Sequence, residues 1–530
     1  MRLFVRHFNQ ETPRCRAGWR KARMIGSTSE GAGLDIVTRT KPPDQTSSVA
    51  YACCRSRPRS RPGIFIFKKS KKTGAACRND KEKTVLRPVS QTVVDHGPKG
   101  PHYSKQYDLS GLADLLDIGK FARGMPHDDF DKLRSLAPVY WHDEPGNGQG
   151  CWAVTRYDDI ISVSKNSELF SNQIGGHQIA APPASERHER LWSAALDNMI
   201  NLDGNAHLKL RVSHMPYFTP TYVSDLRKRV ASKITKLLDG IEGRGHCDLV
   251  REFSSLFPLF TLSEMLGVPE VDRPKLVEWM EYLEMAQVLI LKQLLPEDMV
   301  KYADFGVKFV AKMDEMLDYG SFMINARRKD PRADLFTAIA NATVDGEHLS
   351  PEYISGSWLL IYNAGNDTTR NTISGSVKLF SDNPDQKQLL RDDPSLVRNA
   401  TEEALRMVSP VIFMRRTATA DTEIAGQRIA AGEKVVMWYP SANRDETIFA
   451  DPHRFDIRRS NSSRQLAFGF GRHVCLGQRV AIMQLEEVFK QLWDRFPDIH
   501  VSGDVEIAPN NFVYAIRHMP VSYGTSSGTA

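Results

Sequence analysis

The sequence predicts a mainly α-helical protein with small β-sheets, preceded by a basic arm. Residues 191–406 repeat apolar side chains at the helical period. Short segments typical of strands precede this region and return in the last third of the chain. Residues 1–100 carry 22 Lys and Arg against 7 Asp and Glu, whereas the whole chain of 530 residues carries 70 against 64. A basic segment is therefore followed by a mildly acidic body.

The basic arm, residues 1–104, has little periodic apolar pattern. Because it buries too little apolar surface to order itself, we expect a disordered extension. Its charge leaves other interpretations open: binding to nucleic acid or an anionic membrane, or targeting to an organelle. The acidic residues within the arm argue against a transit peptide. We expect no nucleic-acid partner.

Hydropathy and cysteine content predict a cytoplasmic protein. No apolar run approaches the ~18 residues that a membrane-spanning helix needs, and no secretory signal pattern is present. The chain has seven cysteines, an odd number, and their spacing fits no zinc template. Four of them lie in the arm: Cys15, Cys53, Cys54 and Cys77. A disulfide scaffold is therefore not expected, which suits a reducing compartment.

The body begins with a helix and a hairpin. Residues 130–141 predict the end of a helix followed by a strand, and residues 151–155 predict a second strand after a Gly-rich turn. Residues 158–170 predict a short helix. Residues 171–187 contain Gly-Gly and Pro-Pro breaks and predict a loop. The helical region follows, and the chain closes with short strands, a Pro-rich meander and one last helix.

One cysteine near the C-terminus lies in a frame of glycines. Residues 468–477 read Phe-Gly-Phe-Gly-Arg-His-Val-Cys-Leu-Gly. Glycines allow a tight turn with positive φ and a close approach of the backbone to a flat group. No second cysteine stands at zinc-finger spacing from Cys475. A single thiolate on a Gly-rich loop is what a haem iron needs as its proximal ligand.

This run resembles the haem-binding signature of the cytochrome P450 family, with Phe468, His473 and Cys475 at matching positions. The resemblance extends over about residues 105–525 and implies one catalytic domain with the P450 fold. It implies haem b as the cofactor, with Cys475 as the axial iron ligand and Phe468 beside the haem. It also implies a monooxygenase that inserts one atom of O₂ into its substrate and reduces the other to water.

A second motif lies in the middle of a long helix predicted from Ser350, as N-cap, to about residue 379. Ala364-Gly365-x-Asp367-Thr368 resembles the distal-helix motif of the same family. Small side chains at Ala364 and Gly365 let a macrocycle and O₂ lie against the backbone. The Thr368 hydroxyl can bond the carbonyl four residues back and bend the helix. The resemblance implies that Asp367 relays protons from water and Thr368 presents them to dioxygen.

Haem carries two propionate carboxylates, so cationic or hydrogen-bond-donating side chains are expected around it. By resemblance, four side chains hold the propionates: His207, Arg211, Arg416 and His473. Arg415 remains open as the alternative to Arg416. The resemblance also assigns a structural role to Glu403-x-x-Arg406, which at i, i+3 can pair within one helix. In the family this pair is closed by an arginine of the meander, which here corresponds to Arg454.

The sequence has no flavin or nicotinamide fingerprint and no four-cysteine iron–sulfur pattern. Electrons are therefore expected from a separate ferredoxin and its reductase. Three arginines near the cysteine are expected to dock the ferredoxin: Arg464, Arg472 and Arg479. The expected pocket lining is mostly apolar: Ser357, Ile361, Ala364, Val411, Ile412, Phe413, Phe512 and Val513. The substrate is accordingly expected to be apolar, and the resemblance is closest to soluble bacterial members acting on terpenes, sterol side chains or branched lipids.

Two other functions compete with this one. A haem-thiolate enzyme could use hydrogen peroxide in place of O₂ and electrons, but such an enzyme has less need of the Asp367-Thr368 pair. A non-catalytic haem sensor could use the basic arm to contact nucleic acid. Met280, Met285 and residues 288–291 favour either a substrate lid or a plain core helix.

Overall fold

The computed structural model describes residues 114–144, 149–179, 188–291 and 302–524. The basic arm and the predicted start of the domain at residue 105 lie outside these residues. Both therefore stay predictions.

Helices dominate the described chain. They are α1 Ile118–Ala122, α2 His127–Leu136, α3 Tyr157–Lys165, α4 Glu189–Leu196, α5 Gly204–His214, α6 Pro220–Asp239, α7 Leu256–Leu266, α8 Arg273–Leu291, α9 Ala303–Lys329, α10 Leu335–Asn341, α11 Pro351–Asp382, α12 Pro384–Asp392, α13 Val397–Val408, α14 Tyr439–Ala442 and α15 Gln478–Arg495. Within these residues, no helix is both long and apolar enough to cross a membrane.

The strands are short. They are β1 Val139–His142, β2 Cys151–Val154, β3 Phe170–Ser171, β4 His246–Asp248, β5 Thr343–Val344, β6 Glu347–His348, β7 Phe413–Ala418, β8 Thr422–Ile424, β9 Gln427–Ile429, β10 Lys434–Trp438, β11 His500–Val501, β12 Glu506–Ile507, β13 Ile516–His518 and β14 Pro520–Ser522. The main sheet has the order β1-β2-β10-β7-β3. A second sheet, β11-β14-β4, joins the C-terminal segment to the strand before α7.

The predicted hairpin is confirmed. β1 and β2 pair antiparallel, with Tyr140 opposite Ala153, and β10 then adds parallel to β2. The short helix predicted over residues 158–170 is shorter than expected, because α3 ends at Lys165 and residues 170–171 form β3. β3 pairs with β7, so the main sheet takes over the end of that segment.

The long helix α11 runs through the centre of the domain. It packs against α4, α7, α9, α13 and α15. Ser350 occupies its N-cap position and Pro351 its first turn, as predicted, but the Ser350 side chain makes no capping hydrogen bond. The Trp358 indole packs between Phe336 and Tyr362, at ring distances of 5.2 Å to each. This packing holds the middle of α11, which carries the distal motif, deep in the domain.

Candidate functional site

The cysteine loop is a tight turn that only glycine fits at two places. Gly469 and Gly471 have φ of +69° and +74°, where other residues are strained. A Cβ on Gly471 would lie 2.5 Å from the Ser164 carbonyl oxygen, so the glycine also lets the loop rest on α3. The backbone N–H of Cys475 donates to the Phe468 carbonyl at 2.9 Å. This bond closes the loop and fixes where the thiol points.

Burial and nearby donors act in opposite directions on the Cys475 thiol. Burial raises its pKa, but hydrogen bonds from the backbone N–H groups of Gly477 and Gln478 and the positive charge of Arg211 oppose that rise. Gln478 begins α15, so the positive end of a helix dipole also lies beside the sulfur. The backbone donors come from the signature loop and the start of the last helix. Backbone donors of this kind carry no signal in the sequence.

The thiol lies in the interior and yet is accessible. Cys475 is exposed, although enough protein surrounds it for burial to dominate its pKa. Ala364 is likewise exposed, although it lies in the middle of α11, whose other faces are largely buried. Both residues therefore keep accessible surface in otherwise packed parts of the domain.

Four predicted site residues form one cluster with the cysteine. His207 is buried on α5, and its ring lies 4.1 Å from the ring of His473. Burial and the neighbouring Arg211 lower the pKa of His207 to about 4. Burial and Arg416 lower the pKa of His473 well below its usual value. Arg211 in turn acts electrostatically on Cys475. Asp203 lies 4.0 Å from Nε2 of His473, so the cluster contains two guanidinium groups, two imidazoles that are neutral near pH 7 and one nearby carboxylate.

Arg416 is a buried cation with no carboxylate at ion-pair distance in the described part of the chain. It lies on β7 and is 6% exposed, and its Nη1 donates to the Arg415 carbonyl at 2.8 Å. Among the described residues, no carboxylate lies within ion-pair distance of Arg416 or Arg211, and burial lowers the pKa of both guanidinium groups. A buried charge is costly unless it is paired. Two arginines and two imidazole donors therefore fit a group with two carboxylates, as haem b has.

Arg415 points away from this cluster. Its guanidinium donates to the Gly175 carbonyl at 3.0 Å, to the Gln178 carbonyl at 3.2 Å and to the Thr417 hydroxyl at 3.0 Å. Successive residues of a strand face opposite sides of the sheet. The alternation along β7 thus favours Arg416 over Arg415 as the residue beside His207 and His473.

The distal motif forms a second group on α11. The Thr368 hydroxyl donates to the Ala364 carbonyl at 2.8 Å, and the helix stays continuous there. The Asp367 carboxylate accepts from the Asn366 side chain at 3.2 Å and lies 3.5 Å from Nη2 of Arg370. A Cβ on Gly365 would lie 3.1 Å from Leu262 of α7. The absence of a side chain at Gly365 therefore makes room for Leu262 of the neighbouring helix.

The expected pocket lining is only partly accessible. Ile361 is half-buried on α11, and Val411 forms a bridge with Val513. The sequence places Ile412 and Phe413 in the pocket lining, but both side chains are buried in the core. The Phe413 ring lies 5.4 Å from Trp438. The reason is that the N–H of Ile412 pairs with the Phe512 carbonyl, which draws this segment into the core beside β10.

The structural pair Glu403 and Arg406 is completely buried on α13. Nε and Nη2 of Arg406 donate to the two carboxylate oxygens of Glu403, each at 2.8 Å. Nη1 of Arg406 donates to the carbonyls of Asn443 and Pro452, each at 2.7 Å. These bonds connect α13 to residues 443–452, in the meander that precedes the cysteine loop.

The arginine that closes the pair of Glu403 and Arg406 is not Arg454, the one that the resemblance implies. Its side chain is exposed, and Arg454 contributes only its carbonyl, which accepts from Arg406 and Arg459. The third guanidinium belongs to Arg459, whose Nε donates to Glu403 at 3.1 Å. The turn at residues 451–454 points the Arg454 side chain outward. No spacing rule distinguishes the two arginines, because the meander has no regular period.

The remaining predictions concern the surface. Arg464, Arg472 and Arg479 are all exposed, as a docking surface requires. Met280 is buried in the core and Met285 is exposed. The side chains of residues 288–291 lie outside the described residues.

Comparison with known proteins supplies the family. The cytochrome P450 family model matches residues 186–512. The linalool 8-monooxygenase of Pseudomonas putida is 36% identical over 410 residues, which cover 77% of this chain and 98% of that protein. A steroid C26-monooxygenase of Mycobacterium tuberculosis is 34% identical over 419 residues, which cover 78% and 97%.

Solved structures agree with this match. A Mycobacterium marinum cytochrome P450 in complex with pseudoionone is 34% identical, with a TM-score of 0.68, and covers 79% of this chain and 99% of its own. A cytochrome P450 from Novosphingobium aromaticivorans is 32% identical, also with a TM-score of 0.68, over 78% and 99%. The predicted family, fold, cofactor and enzyme class are thereby confirmed: the chain belongs to the cytochrome P450 family and is a haem b-dependent monooxygenase.

Proposed function

We propose that this monooxygenase hydroxylates an apolar small molecule of the terpene, steroid or branched-lipid type, with electrons from a separate ferredoxin. The observation that carries the substrate class is the accessible face of α11. There Ile361 and Ala364 offer apolar surface, and Val411 and Val513 lie paired elsewhere in the expected lining. Apolar walls select ligands by shape and burial. The relatives named for linalool and for steroids support the same class.

The bound haem supplies an iron centre that activates dioxygen. Cys475 would ligate the iron through its thiolate. Arg211, Arg416, His207 and His473 would hold the propionates. Among the described residues neither arginine has a carboxylate within ion-pair distance, whereas Asp203 lies 4.0 Å from Nε2 of His473. Charge-assisted hydrogen bonds of this kind contribute about 1.5–3 kcal/mol each.

On the opposite side of the site, α11 supplies protons. Asp367 takes up a proton from water and passes it to the hydroxyl of Thr368, which presents it to the reacting oxygen. The Thr368 hydroxyl already bonds the Ala364 carbonyl, so it is oriented by the helix itself. A positioned proton donor contributes about 10²- to 10⁴-fold to a rate. The balanced reaction takes substrate, O₂, two electrons and two protons to alcohol and water.

Substrate binding tests the proposed class. Linalool and a sterol are titrated into the ferric enzyme, and the shift of the Soret band is followed. We expect a saturable shift with at least one of these ligands. Glucose serves as a polar control of comparable size to linalool and should give none. A shift with glucose alone would contradict an apolar substrate.

The docking of ferredoxin is tested with Arg472→Glu. Because attraction between exposed charges steers encounter, the second-order rate of reduction by an acidic ferredoxin should fall about 10-fold at low salt. The difference should shrink as salt screens the charges. Arg332→Glu is the control, since Arg332 is an exposed arginine just beyond the C-terminus of α9. Equal rates for wild type and Arg472→Glu would exclude this docking surface.

A further inference from the structure

One guanidinium joins two carboxylates from different helices. Arg370 of α11 is 5% exposed and forms an ion pair with Glu284 of α8, which is 14% exposed. Nη1 of Arg370 donates to Glu284, while Nη2 lies 3.5 Å from the carboxylate of Asp367. Glu284 therefore lies close to the acid of the distal motif, although 83 positions separate the two in sequence.

A second arginine borders the pair on another side. Nη2 of Arg517, on β13, donates to the backbone carbonyl of Glu284 at 3.2 Å. Tyr362 of α11 also faces these carboxylates, and its hydroxyl donates to the Leu276 carbonyl. Burial and the charge of Asp367 raise the pKa of Glu284 to about 7, against the opposing effect of Arg370 and Arg517. The carboxylate pair therefore holds a proton near neutral pH.

Several buried polar atoms around the pair have no partner in the described protein. They are Nε of Arg370, Nε of Arg517 and Oδ1 of Asn366. Buried polar groups are almost always hydrogen-bonded to protein or to water, so water is the partner that suits these positions. A guanidinium does not give up its proton. Protons between the two carboxylates must therefore move through water, with Arg370 as a fixed clamp.

We propose that Glu284 supplies protons to Asp367 and acts in the reaction through it. The O–H bond of the Glu284 carboxyl breaks, its proton passes through water to the Asp367 carboxylate, and Glu284 takes up a new proton from solvent. Glu284 is a positioning residue, since it does not touch the reacting atoms. The proposal rests on the relay role proposed above for Asp367 and Thr368.

The protonation of Glu284 can be observed without turnover. Infrared difference spectra of the holoenzyme, taken on either side of pH 7, should contain the carbonyl band of a protonated carboxylic acid that titrates near 7. The band should vanish in Glu284→Gln. It should persist in Glu281→Gln, the matched control, because Glu281 is exposed one turn earlier on the same helix. A band that survives in Glu284→Gln would overturn the proposal.

Turnover supplies the second readout. With a surrogate ferredoxin, the fraction of electrons recovered in product should fall on the order of 10-fold in Glu284→Gln, and its solvent deuterium isotope effect should rise. The wild-type dependence on pH around 7 should disappear, and Glu284→Asp should restore part of it. An equal loss at every pH would mean a merely structural role and would refute the proposal. If Thr368→Val leaves this fraction unchanged, the relay itself fails, which is a separate result.

Discussion

Glu403→Ala is expected to destabilise the holoenzyme by about 3–5 kcal/mol, the cost of leaving a buried charge without its partner. The carboxylate accepts two bonds from Arg406, one from Arg459 and one from the backbone N–H of Asp456. Its removal strands a guanidinium that is 0% exposed. Urea unfolding followed by circular dichroism measures the loss.

Two arginine variants are the controls for that prediction. Arg459→Ala should cost less than Glu403→Ala, because the bidentate bond between Glu403 and Arg406 survives. Arg454→Ala should change the free energy of unfolding by no more than about 0.5 kcal/mol, as for surface substitutions in general, since only its carbonyl is used. A large loss of unfolding free energy for Arg454→Ala, with none for Arg459→Ala, would show that Arg454 and not Arg459 closes the pair of Glu403 and Arg406. If Glu403→Ala does not fold, Glu403→Gln gives the same comparison.

Thr368→Val is expected to lower product formation about 10²-fold or more while electrons continue to be consumed. Valine keeps the shape of threonine but has no hydroxyl, so the proton that Asp367 relays cannot reach the oxygen. The electrons should appear as hydrogen peroxide. Product and peroxide are measured together against the electrons supplied, with the reduced carbon monoxide spectrum confirming that the haem site is intact.

Thr372→Val is the matched control. Its hydroxyl donates to the Thr368 carbonyl at 2.7 Å, which is the same kind of bond one turn further along α11. If the loss of a hydroxyl that bonds the helix backbone were enough to divert electrons to peroxide, both variants would do so. We expect only Thr368→Val to do so. Normal product yield in Thr368→Val would remove the threonine from the proposed relay.

The parts of the fold and site that could be predicted from the sequence are those with a short-range pattern. The frame around Cys475 uses glycines whose positive φ is a local requirement, and the length of α11 follows from its start signals and period. Likewise, the i, i+4 spacing of His207 and Arg211 places both on one face of α5. Local rules of this kind do not depend on how the rest of the chain packs.

The parts that escaped prediction depend on tertiary contacts. Arg459 and Arg454 are equivalent in a meander without regular period, so only the fold distinguishes them. Ile412 and Phe413 are apolar and follow α13, but pairing with the Phe512 segment draws them into the core. Gly365 meets Leu262 from another helix. The pair of Glu284 and Arg370 joins helices far apart in sequence, and no motif announces it.

The proposed chemistry depends on ligation of the haem by Cys475, which the reduced carbon monoxide difference spectrum reports. The wild-type enzyme should give the red-shifted Soret band that a thiolate ligand produces. Cys475→Ala, loaded with haem, should lack it. A thiolate band that persists in Cys475→Ala, or its absence from haem-loaded wild type, would contradict the account.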